Sequence, residues 1–147
     1  MGVYQRIISR ISIDKGWSGD QKYCATTEEG QKYLLRISSI DRLERKRREY
    51  EKMSEVARLG IPMCLPVEFG TCEEGAYSIQ SWIDGEDAEE KIMVMDSAAQ
   101  YRYGLDAGRI LAKIHTIPAP VDIPTIRWII SSPSLYFSMY SMGFAPA

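Results

Sequence analysis

No stretch of this 147-residue sequence approaches the roughly 18 uncharged apolar residues that a bilayer-crossing helix needs, so no transmembrane helix is expected. The opening run "MGVYQRIISRISIDKG" carries charges inside each apolar stretch, which argues against a secretory signal peptide. Arg6 stands where a myristoylation signal needs Ser or Thr. Cysteine is scarce: Cys24, Cys64 and Cys72 are odd in number and lack CxxC spacing. That pattern speaks against a disulfide framework or a metal site and for buried, reduced thiols. There is no basic excess either, since a formal net charge of -2 leaves nothing spare to neutralise a nucleic-acid backbone. GxxxxGK[ST], a GxGxxG after a strand and GxSxG are all missing, which removes P-loop, dinucleotide-fold and nucleophile-elbow readings. The acidic "GEDAEE" lacks the residue order of a calcium loop and reads as a polar connector. These absences leave a cytoplasmic protein with no nucleic-acid or membrane partner as the expectation.

What remains is a chain with the length of one domain or part of a larger one, at 45% hydrophobic and 26% charged residues. "QKYCAT" and "KYLLRIS" flank a "TEEG" turn and predict a β-hairpin. A helix follows, with Asp41 and Glu44 as a D-x-x-E start and Leu43, Tyr50, Met53 and Ala57 at helical spacing, and Gly60 and Pro62 stop it. The dense run "RLERKRREYEK" is interleaved with glutamates and reads as a solvated face of that helix. A second hairpin turns at "CEEG". A longer helix from about Ser97 to His115 is expected to bury Tyr101, Leu105, Gly108, Leu111 and Ile114.

The composition then shifts. Residues 121–147 hold one basic residue, Arg127, and one acidic residue, Asp122, out of 18 and 20 in the chain. This segment is rich in Ser, Met and aromatics without a clean period, and is expected to be an atypical tail from a frameshift or a truncated reading frame.

The order strand, glycine loop, strand, turn, strand with a central basic residue, helix with a glutamate, two strands and a Gly-bearing connector is that of a protein-kinase-like nucleotide lobe. The segments "KGWSGDQKY", "KYLLRIS", "KRREYEKM", "LGIPMCLPVEFG", "SWIDGEDAEE" and "GLDAGRILAKIH" together resemble the aminoglycoside phosphotransferase family, also called the phosphotransferase enzyme family, over about Ile8 to Pro120. The resemblance implies an α+β fold: a lobe of about five antiparallel strands and one helix in residues 1–85. A connector and the first helix of a truncated second lobe would follow in residues 86–120, and the atypical tail in residues 121–147.

By the same resemblance, Gly16, Trp17, Ser18, Gly19 and Asp20 form a loop over the phosphates of ATP or GTP. Arg36 contacts the α- and β-phosphates and is held by Glu49, and the Ser81 carbonyl and Ile83 N–H bind the adenine edge. A phosphate chain needs fixed positive charge, and an arginine fork can serve a phosphate and a carboxylate at once. For the loop alone, a plain hairpin turn using glycine for positive φ is the alternative.

Phosphoryl transfer in this class also needs a His-Gly-Asp-type triplet, a following Asn and a further Asp on Mg²⁺. Asparagine is missing from the chain, and its one histidine, His115, is followed by Thr116 and Ile117. His115 is therefore expected to close a helix rather than act as a base. No catalytic or metal-binding residue is assigned, and Mg²⁺ is expected only with the missing lobe. The chain alone is expected to be inactive as a kinase. A small-molecule hydroxyl acceptor belongs to the complete family enzyme. The rival expectation is a non-catalytic nucleotide-binding or protein-interaction module, with self-association through exposed apolar surface.

Overall fold

Five strands, each with side chains alternating across the pleat, pair into a single antiparallel sheet in the order β1-β2-β3-β5-β4. They are β1 (Ile7–Ser12), β2 (Gln21–Thr27), β3 (Lys32–Ser38), β4 (Pro66–Cys72) and β5 (Gly75–Ser81). The computed structural model describes residues 2–15 and 18–118. The expected tail at 121–147 and the loop residues Gly16 and Trp17 lie outside those described residues. The chain forms two compact units: Met1–Ala57 with Cys64–Trp82, and Arg58–Met63 with the chain from Ile83 onward.

In the first unit, both expected hairpins are present. The β2–β3 turn is closed by the Gly30 N–H donating to the Thr27 carbonyl at 2.9 Å, with Gly30 at φ +80. In the β4–β5 turn, Gly75 sits at φ +136, and a Cβ there would lie 2.2 Å from the Ser38 carbonyl oxygen. No side chain fits that position. Pro66 opens β4, an edge strand, where a missing N–H breaks no interior ladder.

Register separates the sheet into two faces. Leu35 opposes Tyr23 and Ile79, and Ile37 opposes Tyr77. Leu35, Ile37, Tyr77, Ile79 and Ala25 form the apolar core, over which Val3, Tyr4, Ile7 and Tyr23 pack. Tyr4 stacks on Tyr77 with ring centroids 4.2 Å apart. The Tyr77 hydroxyl donates to Glu68 at 2.6 Å, and the Val3 N–H donates to the same carboxylate. Burial, and then the Glu68 carboxylate, push the Tyr77 phenol well above its ordinary range. The alternate residues share the opposite face: Lys22 opposes Arg36, Arg36 opposes Ser78, and Leu34 opposes Cys24 and Gln80.

Helix α1 (Leu43–Ala57) follows a 3₁₀ turn at Ile40–Arg42. Asp41 lies inside that turn, where its carboxylate accepts the Ser39 hydroxyl, so the expected D-x-x-E cap is replaced by a continuous entry from 3₁₀ to α. α1 packs its Tyr50 ring against Phe69 of β4 at 5.4 Å.

The second unit contains α2 (Ala88–Val94) and α3 (Ser97–Ile114). α2 occupies part of the stretch expected to be a connector. Asp87 caps it by accepting the Glu89 N–H at 3.0 Å, and Glu89 and Glu90 fill its first turn, so the acidic run is a helix start. Asp96 caps α3 through the Ala99 N–H at 2.8 Å, and His115 is its C-terminal cap. The buried side of α3 differs from the expected stripe. Ile114 is buried as expected and Ile110 joins it, whereas Tyr101, Leu105 and Leu111 are exposed. Tyr103, Ala107, Ile110 and Ile114 keep one helical phase, while the run 101, 105, 108, 111 drifts around the axis. Among the described residues, no helix is long and apolar enough to cross a membrane.

Candidate functional site

Arg36 is the fifth residue of β3, the central strand of the sheet, and its register directs it to the face opposite the apolar core. It is 6% exposed. An arginine this deep must have its charge and its N–H groups met locally. Two residues of the β1–β2 loop do so. Arg36 Nη2 donates to Asp20 Oδ2 at 2.8 Å and to Ser18 Oγ at 3.2 Å. The other Asp20 oxygen accepts the Ser38 hydroxyl at 2.8 Å. The loop is thereby tied to the middle of the sheet by charge and hydrogen bonds.

Helix α1 supplies a second cation. Lys46 Nζ donates to the same Asp20 Oδ2 at 2.9 Å and to Glu49 Oε2 at 3.0 Å. Glu49 also takes Arg45 Nε at 2.9 Å. A continuous chain thus runs Arg36, Asp20, Lys46, Glu49. Burial pushes the Asp20 carboxyl upward. The Lys46 hydrogen bond, the Arg36 and Lys46 charges and the Ser38 hydroxyl outweigh it and hold Asp20 below the usual carboxylate range. For Glu49, burial is likewise outweighed by Lys46 and then Arg45, with the same downward result. Lys22, 4% exposed, is pushed below its ordinary value by burial and by the neighbouring Arg36 charge, against the opposing pull of Asp20. Its Nζ donates to the Lys15 carbonyl at 2.5 Å, which pins the start of the loop to the start of β2.

Of the residues singled out from the sequence, the structure joins Ser18, Asp20 and Arg36 directly, and joins Glu49 to them by way of Lys46. Gly19 is exposed beside them, and a Cβ there would meet Arg42 Nη1 at 3.4 Å. Gly16 and Trp17 are outside the described residues. Ser81 ends β5, with its N–H on the Leu65 carbonyl and its hydroxyl on the Leu65 N–H, both at 2.8 Å. Ile83 falls in the second unit.

Lys46, Lys22, Ser38 and Gln80 were not anticipated. Lys46 had a signal: 43, 46, 50, 53 and 57 keep one helical phase, so it fills the vacant place in the apolar stripe of α1. Of the three thiols, Cys64 is buried and Cys24 and Cys72 are half-buried, and none forms a disulfide among the described residues. Burial pushes the Cys64 thiol up against the opposing Arg36 charge.

The face carries one further polar group whose bonding is unmet. Gln80 is 5% exposed, shares the face of Leu34 and Arg36, and its Nε2 has no hydrogen-bond partner among the described residues. An unmet buried donor is costly, and a polar group of a bound molecule would satisfy it. Among the described residues, no group of three or more His, Cys, Asp or Glu side chains is placed to hold a metal ion.

A five-stranded antiparallel sheet, a helix donating into a buried arginine site on the central strand, and helices following define a protein-kinase-like α+β fold. The model of the phosphotransferase enzyme family matches residues 10–136, and the chain belongs to that family. The match extends past Pro120 into the segment that composition sets apart. Aminoglycoside phosphotransferase APH(3'')-Id from Streptomyces rimosus superposes with a TM-score of 0.52 at 18% identity, covering 78% of this chain and 39% of its own. The PknI kinase domain from Mycobacterium tuberculosis gives 0.50 at 16% identity, over 75% of this chain and 49% of its own. Rad53 in complex with AMP-PNP gives 0.50 at 16% identity, over 76% of this chain and 29% of its own. The chain therefore spans between 29% and 49% of the length of these structures. No curated protein sequence matches it.

Proposed function

We propose that this chain is the N-terminal, nucleotide-binding portion of a small-molecule kinase of the phosphotransferase enzyme family. The observation that carries the reading is the buried Arg36 on β3, met from the loop by Ser18 and Asp20 and linked through Asp20 to Lys46 and Glu49 on α1. Fixed cations at the base of a polar loop suit a polyphosphate, and the unmet Gln80 donor on the same face suits a polar ligand group. In this reading residues 16–20 cover the phosphates of ATP or GTP, Arg36 grips them, and Glu49 steadies the cations. The Ser81 carbonyl and Ile83 N–H take the adenine edge.

The nucleotide would supply the phosphoryl group. In the complete protein, that group passes to a hydroxyl of an aminoglycoside, a sugar, an amine alcohol or a similar metabolite, with Mg²⁺ held by residues of the other lobe. This chain has no asparagine and no His-Gly-Asp triplet, so it turns over no acceptor alone. Loss of a general base removes about 10²–10⁴ in rate, and loss of metal-based charge stabilisation removes more.

Calorimetric titration with ATP and GTP in the presence of Mg²⁺ tests the binding step. The wild type binds one of the two, and Arg36→Ala weakens it by about 10–100-fold, the worth of a charge-assisted hydrogen-bond pair. Equal binding by both proteins would remove Arg36 from the phosphate role, and no binding by the wild type would remove the reading. Exposed Met93, Val94 and Tyr101 favour self-association as a second property. A monomer by light scattering would count against it.

A further inference from the structure

Asp20 is the one described residue of the β1–β2 loop that is buried. Its side chain is 2% exposed and that of Arg36 is 7% exposed. Asp20 Oδ2 accepts from two cations on two different elements, Arg36 of β3 at 2.8 Å and Lys46 of α1 at 2.9 Å, while Oδ1 accepts from Ser38 at 2.8 Å. Two cations and a hydroxyl converging on one compact anion is the donor set that binds a phosphate, and carboxylate and phosphate take the same charge-assisted bonds from arginine and lysine. A phosphate that reaches Arg36 and Lys46 competes with Asp20 for the same two cations. The bonds that hold Asp20 there are charge-assisted hydrogen bonds, which a second anion can take in its place. Lys22, paired across from Arg36 on the same face, adds a further positive charge beside the clamp.

We propose that Asp20 acts as a resident phosphate surrogate. Its carboxylate occupies a two-cation clamp formed by Arg36 and Lys46, and the phosphates of an incoming nucleotide displace that carboxylate as they bind. Lys46 thereby becomes a second phosphate anchor, contributed by the helix and not by the strand. The inference rests on the nucleotide-binding reading above. It deepens that reading by making the loop's own carboxylate a competitor that sets affinity.

The test uses the full chain with three probes, inorganic tripolyphosphate, ATP and adenosine, read by calorimetry and by melting temperature. Asp20→Asn keeps the size of the side chain and its capacity to accept from Ser38, but removes the competing charge. If the carboxylate holds the clamp in about nine molecules of ten, its removal tightens tripolyphosphate and ATP about tenfold and leaves adenosine unchanged. The variant melts lower than wild type without ligand and recovers with tripolyphosphate. Tighter binding of ATP and adenosine alike, or unchanged or weaker tripolyphosphate binding, would overturn the surrogate role. The nucleotide reading would survive that result as long as wild type binds ATP. Failure of both proteins to bind ATP and tripolyphosphate would overturn both. Should Asp20→Asn not fold, Lys46→Gln decides. It weakens tripolyphosphate about tenfold with adenosine unchanged if Lys46 is an anchor, and unchanged tripolyphosphate binding would sink the clamp.

Discussion

Leu35 and Arg36 are neighbours in β3, and each is almost wholly withdrawn from solvent, yet they face opposite worlds. Leu35 points into a cluster of Ala25, Ile37, Tyr77 and Ile79, sealed by Val3 and Tyr4. Arg36 points into Asp20, Ser18 and, beyond them, Lys46 and Glu49. Burying apolar surface stabilises a fold at about 25 cal/mol per Å². Burying charges costs several kcal/mol per ion before their mutual attraction is counted, and the balance is often no better than an apolar replacement. The first face therefore accounts for why the sheet folds. The charges of the second face bring no comparable net stabilisation, and the proposed reading accounts for them by the anion they could hold.

That contrast can be broken in a graded way. The largest effect is expected from Asp20→Ala, which leaves Arg36 and Lys46 without their shared carboxylate and should lower unfolding free energy by about 3–5 kcal/mol in urea titration. Leu35→Ala on the other face should cost about 2–5 kcal/mol through the cavity it leaves. The two differ in their companion measurement: the Leu35→Ala protein that remains folded should bind ATP as wild type does, because nothing on the charged face has changed. A weakened ATP affinity in Leu35→Ala would mean that the faces are not separable. Replacing the charges together, as Asp20→Leu with Arg36→Met and Lys46→Met, should leave stability unchanged or raise it by about 1–4 kcal/mol while abolishing nucleotide binding. Stability lost along with binding would show the charged face to be structural.

The smallest effect is expected from pH. Asp20 and Glu49 are held below the ordinary carboxylate range in the folded protein, so their contribution is present above the unfolded value of about 4. It is lost as pH falls through the lower folded value. Wild type should therefore lose stability more steeply than Asp20→Asn as pH drops below about 4 in acid titration followed by circular dichroism. Parallel profiles would mean that Asp20 is not ionised against its two cations.

Much of this arrangement was legible before the structure. The strand with a central arginine, the two Gly-closed turns and the long helix followed from periodicity and turn chemistry, because those signals are local. What could not be read was the partner of each buried charge. Asp20 and Ser38 lie 18 residues apart and meet only because β2 and β3 pair in one register. Lys46 was hidden inside a basic run whose other members do face water, and only its phase between Leu43 and Tyr50 distinguishes it. Glu49 bonds Lys46 and Arg45, and through Lys46 it reaches the Asp20 carboxylate that Arg36 also holds, a link no local pattern in the sequence marks. The short α2 was obscured because acidic residues at a helix start resemble a polar linker. The buried side of α3 was misjudged because two apolar series share that helix and only one keeps a constant phase.

The most direct test of the division between the two faces is an amide chemical-shift map of the ¹⁵N-labelled chain on addition of ATP with Mg²⁺. Shifts should concentrate at Ser18, Asp20, Lys22, Arg36 and Gln80, with Tyr4, Glu68 and Tyr77 on the opposite side unmoved. Shifts centred on Tyr4, Glu68 and Tyr77, or none at all, would contradict the assignment of the charged face as the nucleotide site.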